Sequence, residues 1–406
     1  MRIVFLSPSG ELGGAETALL EMLAAIREAR PGWALAMIAA SNGPLVAKAA
    51  AYADAAAMPF PNALARLGEW GALQSIAACL RLGAGLLTAS APSIGYARRL
   101  QRSLRDLNPD IIHSNGLKMH LLGARLRPPC AKLVWHLHDY PAARRVTARL
   151  LASQTHRCGA MLANSESVAA DARQRFGAAV PVHTIYNAVD LERFNPAGPR
   201  ADLDALAGLP PIAPGGIRVG LVGTFARWKG HAVFLDALAR LRGVANTRGY
   251  IVGGPIYHTN ASQYSQEQLR VQAERLGLGD TVGFTGKVDD VSSALRALDI
   301  VVHASTEPEP FGLVIAEAMA SGRPVVVSRA GGAAEIAQGG AVFHAPGNSA
   351  ELADRVRELA SDSARRASLG AEGRAAAVRL FSRTRLSETL IPVYDALARS
   401  ARANHV

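Results

Sequence analysis

The sequence predicts an α/β protein of two doubly wound domains, and three observations carry the prediction. The chain has 406 residues, enough for two domains with full cores. Short, almost continuous apolar runs recur along it, among them Arg2–Ser7, Ile217–Gly223, Ile300–Val302 and Pro324–Val327, and such runs are strands buried on both faces of a parallel sheet. Several of these runs lead through a glycine-bearing loop into an apolar or amphipathic helix, the unit whose crossover is right-handed.

Composition narrows the class. Hydrophobic residues make up 49% of the chain, with abundant Ala, which suits helices packed closely on sheets. Three cysteines, Cys79, Cys130 and Cys158, are too scattered for a disulfide framework or a zinc cluster and fit a reducing cytoplasm. The opening MRIVFLS is too short for a signal peptide and the apolar stretch Leu82 to Ala97 too short for a spanning helix, so no segment is expected to cross a membrane. The net charge of +11 is uneven: residues 1–190 hold 20 Lys plus Arg against 12 Asp plus Glu, residues 191–406 hold 24 against 21. A basic first half favours anionic partners, whether an acidic membrane surface, a phosphate-bearing acceptor or nucleic acid, although solvated helix faces in an Arg-rich chain give the same count.

Taken in order, Arg2–Ser7 is the first strand, and the turn ending in Gly13-Gly14 leads into a helix over Ala15–Arg30. Glycines at a strand-to-helix turn permit close approach of a phosphate, and the pattern is not the dinucleotide G-x-G-x-x-G fingerprint. Glu16 reads as a favourable charge at that helix start. Trp33–Ala40 is the second strand. Within the atypical stretch 60–107, Tyr96, Leu100, Leu104 and Leu107 recur at helical spacing while Arg98, Arg99, Arg102 and Arg105 take another side. That is a basic amphipathic helix, able either to lie on an anionic bilayer through residues 96–107 or simply to pack its leucines on a core. Asp110–Ser114 and Lys132–Leu137 are strands; the second ends in His136-Leu137-His138-Asp139, where alternation puts both histidines on one face. Two histidines without a third ligand at usable spacing give no metal site.

Met161–Ser165 is a strand and turn, with a helix over Glu166–Phe176. Asn187 and Asp190 make the turn at which the chain leaves the first sheet. The first domain thus spans 1–195, and residues 196–216, rich in Pro, Gly and Ala, read as a linker to a second domain over 217–382. There Ile217–Gly223 is a strand, Thr224 to Gly230 a turn bearing Arg227 and Lys229, and His231–Leu241 a helix; a fork and a point charge at such a turn make a diphosphate clamp. Tyr250–Gly254 and Thr281–Lys287 are further strands, with a long loop at 255–265 expected to overhang the cleft. The last helix, 383–402, is expected to cross back onto the first domain.

The most informative stretch is 301–335. After the strand ending at Val302 comes a loop with Glu307 and Glu309, then a helix opened by Phe311-Gly312 that holds Glu317, then the strand Pro324–Val327. The N–H groups of Phe311, Gly312 and Leu313 at a helix start can hold a diphosphate. Glu309 and Glu317, eight positions apart, fall on one side of that start, where each carboxylate can accept from a pair of hydroxyls. A capping residue and a solvated face give the same pair, but Glu317 lies inside the apolar run LVIAEAMA, where a charge needs a partner.

The string E-P-F-G-L-V-I-A-E-A-M-A-S-G-R-P-V-V, followed by Gly331-Gly332 and Glu335, resembles the Glu-x7-Glu signature of retaining GT-B glycosyltransferases, specifically glycosyltransferase family 4. The resemblance covers almost the whole chain, is strongest over 217–345, and leaves 60–107 and the 255–265 loop unexplained. It implies two facing Rossmann-like domains and transfer of a sugar from a nucleotide diphosphate sugar to a hydroxyl of a glycan, lipid-linked or small-molecule acceptor, with retained anomeric configuration. It implies that Gly13 and Gly14 face the donor diphosphate, that His138 contacts the donor sugar, that Lys229 holds phosphate, that Glu309 holds sugar hydroxyls and Glu317 the ribose, and that the base lies beside Gly286 to Val288. Relatives commonly place Arg directly after the glycine where this chain has Thr224, so Arg227 is the substitute candidate. Glu335 reads as a helix-start carboxylate.

With Lys229, Arg227 and helix N–H groups on the leaving diphosphate, no metal and no further cofactor is required. A covalent double displacement is disfavoured because no second carboxylate is recognisable at the opposite face. Nucleic acid is not expected as a partner, and the protein is expected in the cytoplasm, with residues 96–107 as the candidate patch for the inner face of the membrane. Two rivals are a GT-B nucleotide-sugar epimerase and a catalytically silent sugar-nucleotide binding protein at the membrane surface. Neither base, sugar nor acceptor is legible.

Overall fold

The computed structural model describes the whole chain except residues 63–75, 144, 244–245, 256–261 and 404–406. The chain divides into two compact units. One comprises residues 1–164, 168–185 and 386–406, the other 165–167 and 186–385.

The first unit is built on a parallel sheet with strands β1 (Arg2–Ser7), β2 (Ala34–Ala39), β3 (Asp54–Ala57), β4 (Ile111–Asn115), β5 (Lys132–Leu137), β6 (Ala160–Ala163) and β7 (Val182–Thr184). Their order is β3-β2-β1-β4-β5-β6-β7. The chain winds outward from β1 in one direction and, after β3, outward from β4 in the other, so helices cover both faces. That is why β4 is buried at every position, polar residues included. The basic helix ends at Leu107. Tyr96, Leu100 and Leu104 are fully buried in the core of this unit, and Arg98, Arg99, Arg102 and Arg105 are exposed. The core-packing reading of its apolar side is therefore what the fold uses. From Leu386 on, the helix Arg383–Ala403 groups with this unit, and Tyr394 Oη lies 2.6 Å from His113 Nδ1 on β4.

The second unit has β8 (Ile217–Val222), β9 (Thr247–Val252), β10 (Val282–Gly286), β11 (Ile300–His303), β12 (Val325–Ser328) and β13 (Ala341–His344), parallel, in the order β10-β9-β8-β11-β12-β13. The central strands feed two cores by strict alternation. Val301, Val325 and Val327 pack on one face, Ile300, Val302 and Val326 on the other.

Residues 196–216, read as a linker, are folded onto this unit. The short helix Leu203–Ala207 carries Asp204, which is buried and accepts from Tyr250 Oη, Arg248 and Arg218 (3.0 Å). Burial would raise the Asp204 carboxyl, but these donors hold it well below the usual carboxylate range. Arg296, itself buried, donates to the carbonyls of Pro199 (2.7 Å) and Arg193 (3.1 Å). A Pro- and Gly-rich composition marks irregular backbone; it does not report these side-chain partners. Asp190 makes the expected turn, its Oδ1 accepting from the N–H groups of Glu192 (3.1 Å) and Arg193 (3.0 Å).

Candidate functional site

In the second sheet the winding direction reverses between β8 and β11, and in such sheets a crevice opens at the carboxyl ends of the two strands. The loop after β8 carries Arg227, Trp228 and Lys229, and the loop after β11 carries Glu309. The two loops are joined: Thr306 N–H donates to Trp228 O (2.7 Å). Gly230 allows the approach. It has φ 76°, and a Cβ there would lie 1.9 Å from Ala304 O at the end of β11.

The approach brings Lys229 to Glu309. Lys229 Nζ forms an ion pair and hydrogen bond with Oε1 of Glu309, and also lies 4.3 Å over the Trp228 ring. The other oxygen, Oε2, accepts from His303 Nε2 (2.6 Å) and Ser305 Oγ (2.8 Å). Burial would push the Glu309 carboxyl up, but Lys229 and His303 beside it hold it well below the usual range, so it is an anion at neutral pH. Glu309 is buried, 6% exposed. The clamp lysine and the sugar-binding carboxylate, read from sequence as separate ligand contacts, are thus each other's partners here. Sequence reasoning missed His303 and Ser305; their alternation at the end of β11, on one face with a polar atom each, was the available signal.

Arg227 is exposed, its guanidinium 4.4 Å over the Tyr264 ring, and its N–H donates to Ser262 O (3.0 Å). Of the loop expected to overhang, residues 256–261 lie outside the described residues. Gly286, at the end of β10, has φ 70°, with open space where a Cβ would stand, and its carbonyl accepts from Gly253 N–H (2.9 Å). Val288 is half-buried against the core of the unit.

The helix with Glu317 runs from Leu313 to Ala320, so it opens later than the sequence reading placed it. Gly312, φ 86°, is the left-handed residue before it, and Phe311 is buried with its ring 5.7 Å from Phe381 and 6.2 Å from Tyr186. Of the three N–H groups assigned to a diphosphate, only that of Leu313 belongs to the first helical turn, whose donors lack intrahelical partners. Glu317 is half-buried. Glu335 is the fifth residue of its own helix, Gly331–Ile336, but it is a helix-start carboxylate for another: it accepts from the N–H groups of Glu166 (2.8 Å) and Ser167 (3.1 Å), the first residues of Glu166–Phe176, and from Tyr186 Oη (2.6 Å).

In the first unit the corresponding reversal lies between β1 and β4. The helix after β1 begins at Gly14, and Gly13 N–H donates to the Glu16 carboxylate (3.2 Å), so Glu16 does more than add charge to the helix end. Burial pushes the Glu16 carboxyl up. Four histidines cluster here: His113 within β4, His136 and His138 at the end of β5, and His120 on the following helix Leu117–Leu126. His138 is half-buried; its Nε2 lies 2.9 Å from Asn115 Oδ1, which only accepts, so Nε2 carries the proton. Its ring is 4.0 Å from that of His136, the shared face that alternation predicted. Ser114 Oγ donates to Val134 O (3.0 Å) and so accepts from His120 Nδ1 (2.8 Å). Burial lowers the pKa of His138 to about 4 and those of His113 and His120 to about 3, and takes His136 well below the ordinary value. Neutral imidazoles are therefore the working state at pH 7. Asn115 and His120 were not singled out from sequence, since a lone Asn or His carries no periodic signal.

Among the described residues no group of His, Cys, Asp and Glu could hold a metal ion, and no helix is long and apolar enough to cross a membrane. Comparison with known proteins gives the family. Residues 12–193 match the profile of glycosyltransferase family 4 and residues 211–376 that of glycosyl transferases group 1. The lipopolysaccharide core biosynthesis glycosyltransferase LpsD of Rhizobium meliloti is 30% identical over 302 residues, covering 73% of this chain and 78% of that protein. The lipopolysaccharide core biosynthesis mannosyltransferase LpsB of the same organism is 29% identical over 224 residues, 54% of this chain and 62% of that one, and for a D-inositol 3-phosphate glycosyltransferase of Catenulispora acidiphila the match spans only 50% of its length. The crystal structure of Anabaena HepE in complex with UDP-glucose is 26% identical with a TM-score of 0.76, covering 99% of this chain and 100% of that one. Two Rossmann-like sheets, the double-glutamate segment and these matches together place the chain in the group 1, family 4 glycosyltransferases of GT-B fold.

Proposed function

We propose that the protein transfers a sugar from a nucleotide diphosphate sugar to a hydroxyl of a glycan or lipid-linked acceptor, with retention at the anomeric carbon. The observation that carries the reading is the Lys229–Glu309 pair at the switch point of the second sheet, a cation and an anion held at the place where such sheets bind nucleotides. The likeness to HepE, whose crystal structure holds UDP-glucose, supports a nucleotide sugar as donor.

In this reading Lys229 turns to the diphosphate as the glycosidic bond breaks and negative charge gathers on the leaving group, with Leu313 N–H, the neighbouring Phe311–Gly312 backbone and Arg227 assisting. Each well-aimed donor contributes about 3 kcal/mol to such a transition state, and no metal is needed. Glu309, an anion at neutral pH, holds sugar hydroxyls and shields the cationic anomeric carbon, while Glu317 holds the ribose. Gly286 and Val288 flank the base. His138, with its proton fixed on Nε2, orients the sugar, and the Gly13-Gly14 turn serves the diphosphate. Relatives acting in lipopolysaccharide core biosynthesis support a glycan acceptor. The exposed Arg98, Arg99, Arg102 and Arg105 supply a face for an anionic membrane surface.

Turnover of a panel of nucleotide sugars, with and without candidate acceptors, tests the reading. Release of nucleotide that depends on an acceptor supports it. Turnover to an epimerised sugar without acceptor, or binding without turnover, overturns it in favour of an epimerase or a silent binding protein. Flotation with anionic vesicles tests the membrane face, which fails if association never occurs or persists after charge reversal of the four arginines.

A further inference from the structure

The carboxylate of Glu309 is held from two sides by groups of different kind. Oε1 meets Lys229, a long flexible cation from the loop after β8. Oε2 meets His303 and Ser305, short side chains at the end of β11, both almost fully buried at 4% and 1% exposure. These two also meet each other, Ser305 Oγ lying 2.9 Å from His303 Nε2. The imidazole is stiffened from behind: the His303 carbonyl lies 3.2 Å from Nε2 of the buried His344 on β13. Lys229 has a competing task in the proposed reaction, since the diphosphate draws it away, and an anion with a single mobile partner then moves with it or is left unpaired.

We propose that His303 and Ser305 are positioning residues that keep Glu309 in place through Oε2 while Lys229 exchanges Oε1 for the donor's phosphates. The inference rests on the glycosyltransferase reading and extends it. The empty and occupied states share one fixed Glu309, and only the lysine changes partner. The chemistry fits the residue types. A carboxylate only accepts, so the Nε2–H of His303 and the hydroxyl of Ser305 both point their protons at it, and neither carries a flexible stem that a phosphate could pull aside.

The test compares His303→Ala, His303→Gln, Ser305→Ala and Ser305→Thr with the parent. A Gln amide N–H stands near the position of Nε2–H, and Thr keeps the hydroxyl. Nucleotide affinity is measured by calorimetry with UDP, transfer by donor kcat and KM, and the Glu309 carboxyl titration by carbon-detected NMR on unliganded protein. The expected result is UDP affinity within about twofold of the parent in all four, because Lys229 is untouched. For the two Ala variants kcat falls about tenfold to a hundredfold, the scale of a hydrogen bond to a charged group. The acid limb of kcat and the Glu309 titration both move to higher pH, and Gln and Thr recover most of the loss. Ala variants with parental kcat and an unmoved titration overturn the proposal, as does a loss of UDP affinity equal to that of Lys229→Ala. A parent that turns over no nucleotide sugar overturns the functional reading and the proposal with it, and the titration then still reports whether the anchor exists.

Discussion

Around β4, β5 and the helix Leu117–Leu126 the first unit packs four histidines whose desolvation keeps them neutral. Where β8 and β11 part, the second unit instead buries a carboxylate and sets a lysine against it. Both are polar clusters at the carboxyl edge of a doubly wound sheet, so fold alone does not dictate their electrostatics. What separates them is the available partner. The β11 loop has Lys229 across a glycine-permitted contact and can keep a charge, whereas the buried His113, His120 and His136 and the half-buried His138 crowd one another and hold only the single proton of a neutral imidazole. One cluster is therefore neutral, the other fully charged.

The largest expected consequence is on acid stability. A histidine whose folded pKa is about 3 is protonated first in the unfolded chain, so its penalty sets in as pH falls below the ordinary value of 6.5. Since the slope reaches about 1.4 kcal/mol per pH unit only when the unfolded imidazole is fully protonated, His113 and His120 together remove about 3 kcal/mol between pH 6.5 and 5. Glu309 and Asp204 have depressed values, so their contribution is intact above their unfolded values of 4.5 and 3.8 and is lost only below these. Hydrogen exchange corrected for intrinsic rates should show β4 and β5 losing protection between pH 7 and 5 before β8 and β11 do. The opposite order breaks the comparison.

Next in size is removal of the charge itself. Lys229→Ala should lower sugar transfer about 10²–10³-fold, whereas Arg227→Ala, at an exposed guanidinium stacked on Tyr264, should cost less than about tenfold. Equal losses would show that the two cations share the work, contrary to the geometry. Gly230→Ala attacks the contact that lets Lys229 reach Glu309. With φ 76° and a Cβ 1.9 Å from a carbonyl oxygen, it should destabilise by about 2 kcal/mol or more, read as a lower Tm with the loss confined to the second unit. The smallest effect belongs to the first unit. Tyr394→Phe removes a partner of His113 Nδ1 and should cost about 1 kcal/mol in denaturant unfolding. An unchanged midpoint would mean that the helix 383–403 is held by its apolar side chains alone.

Much of this was legible in the chain. Continuous apolar runs gave the central strands, since a strand covered on both faces leaves no room for alternation: β5 begins and ends where it was read, at Lys132 and Leu137. The edge strands β3, β7 and β13 were not read, because DAAA, VHT and AVFH are too short for any period to show. Over 96–107, the last part of the helix Ile76–Leu107, the sides were readable: Tyr96, Leu100 and Leu104 are buried, Leu107 is half-buried and the four arginines are exposed, following the 3.6-residue repeat. The double-glutamate segment was readable as a motif, but the start of its helix was not, because whether Gly312 opens a helix or precedes it depends on a φ angle that sequence does not state.

By itself, then, the sequence determined the strands of both sheets' centres and the residue types at the carboxyl edges, because burial and periodicity are local properties of the chain, and its double-glutamate string carried the resemblance to the family. Which of those residues face one another was decided only by tertiary structure. Lys229 and Glu309 are 80 positions apart, and they meet because a reversal of strand order and a glycine without a Cβ bring two loops to one point. His303 and Ser305 acquire a role only from the oxygen they find there. Partnership between distant polar groups depends on three-dimensional distance and dielectric surroundings, neither of which a one-dimensional pattern encodes.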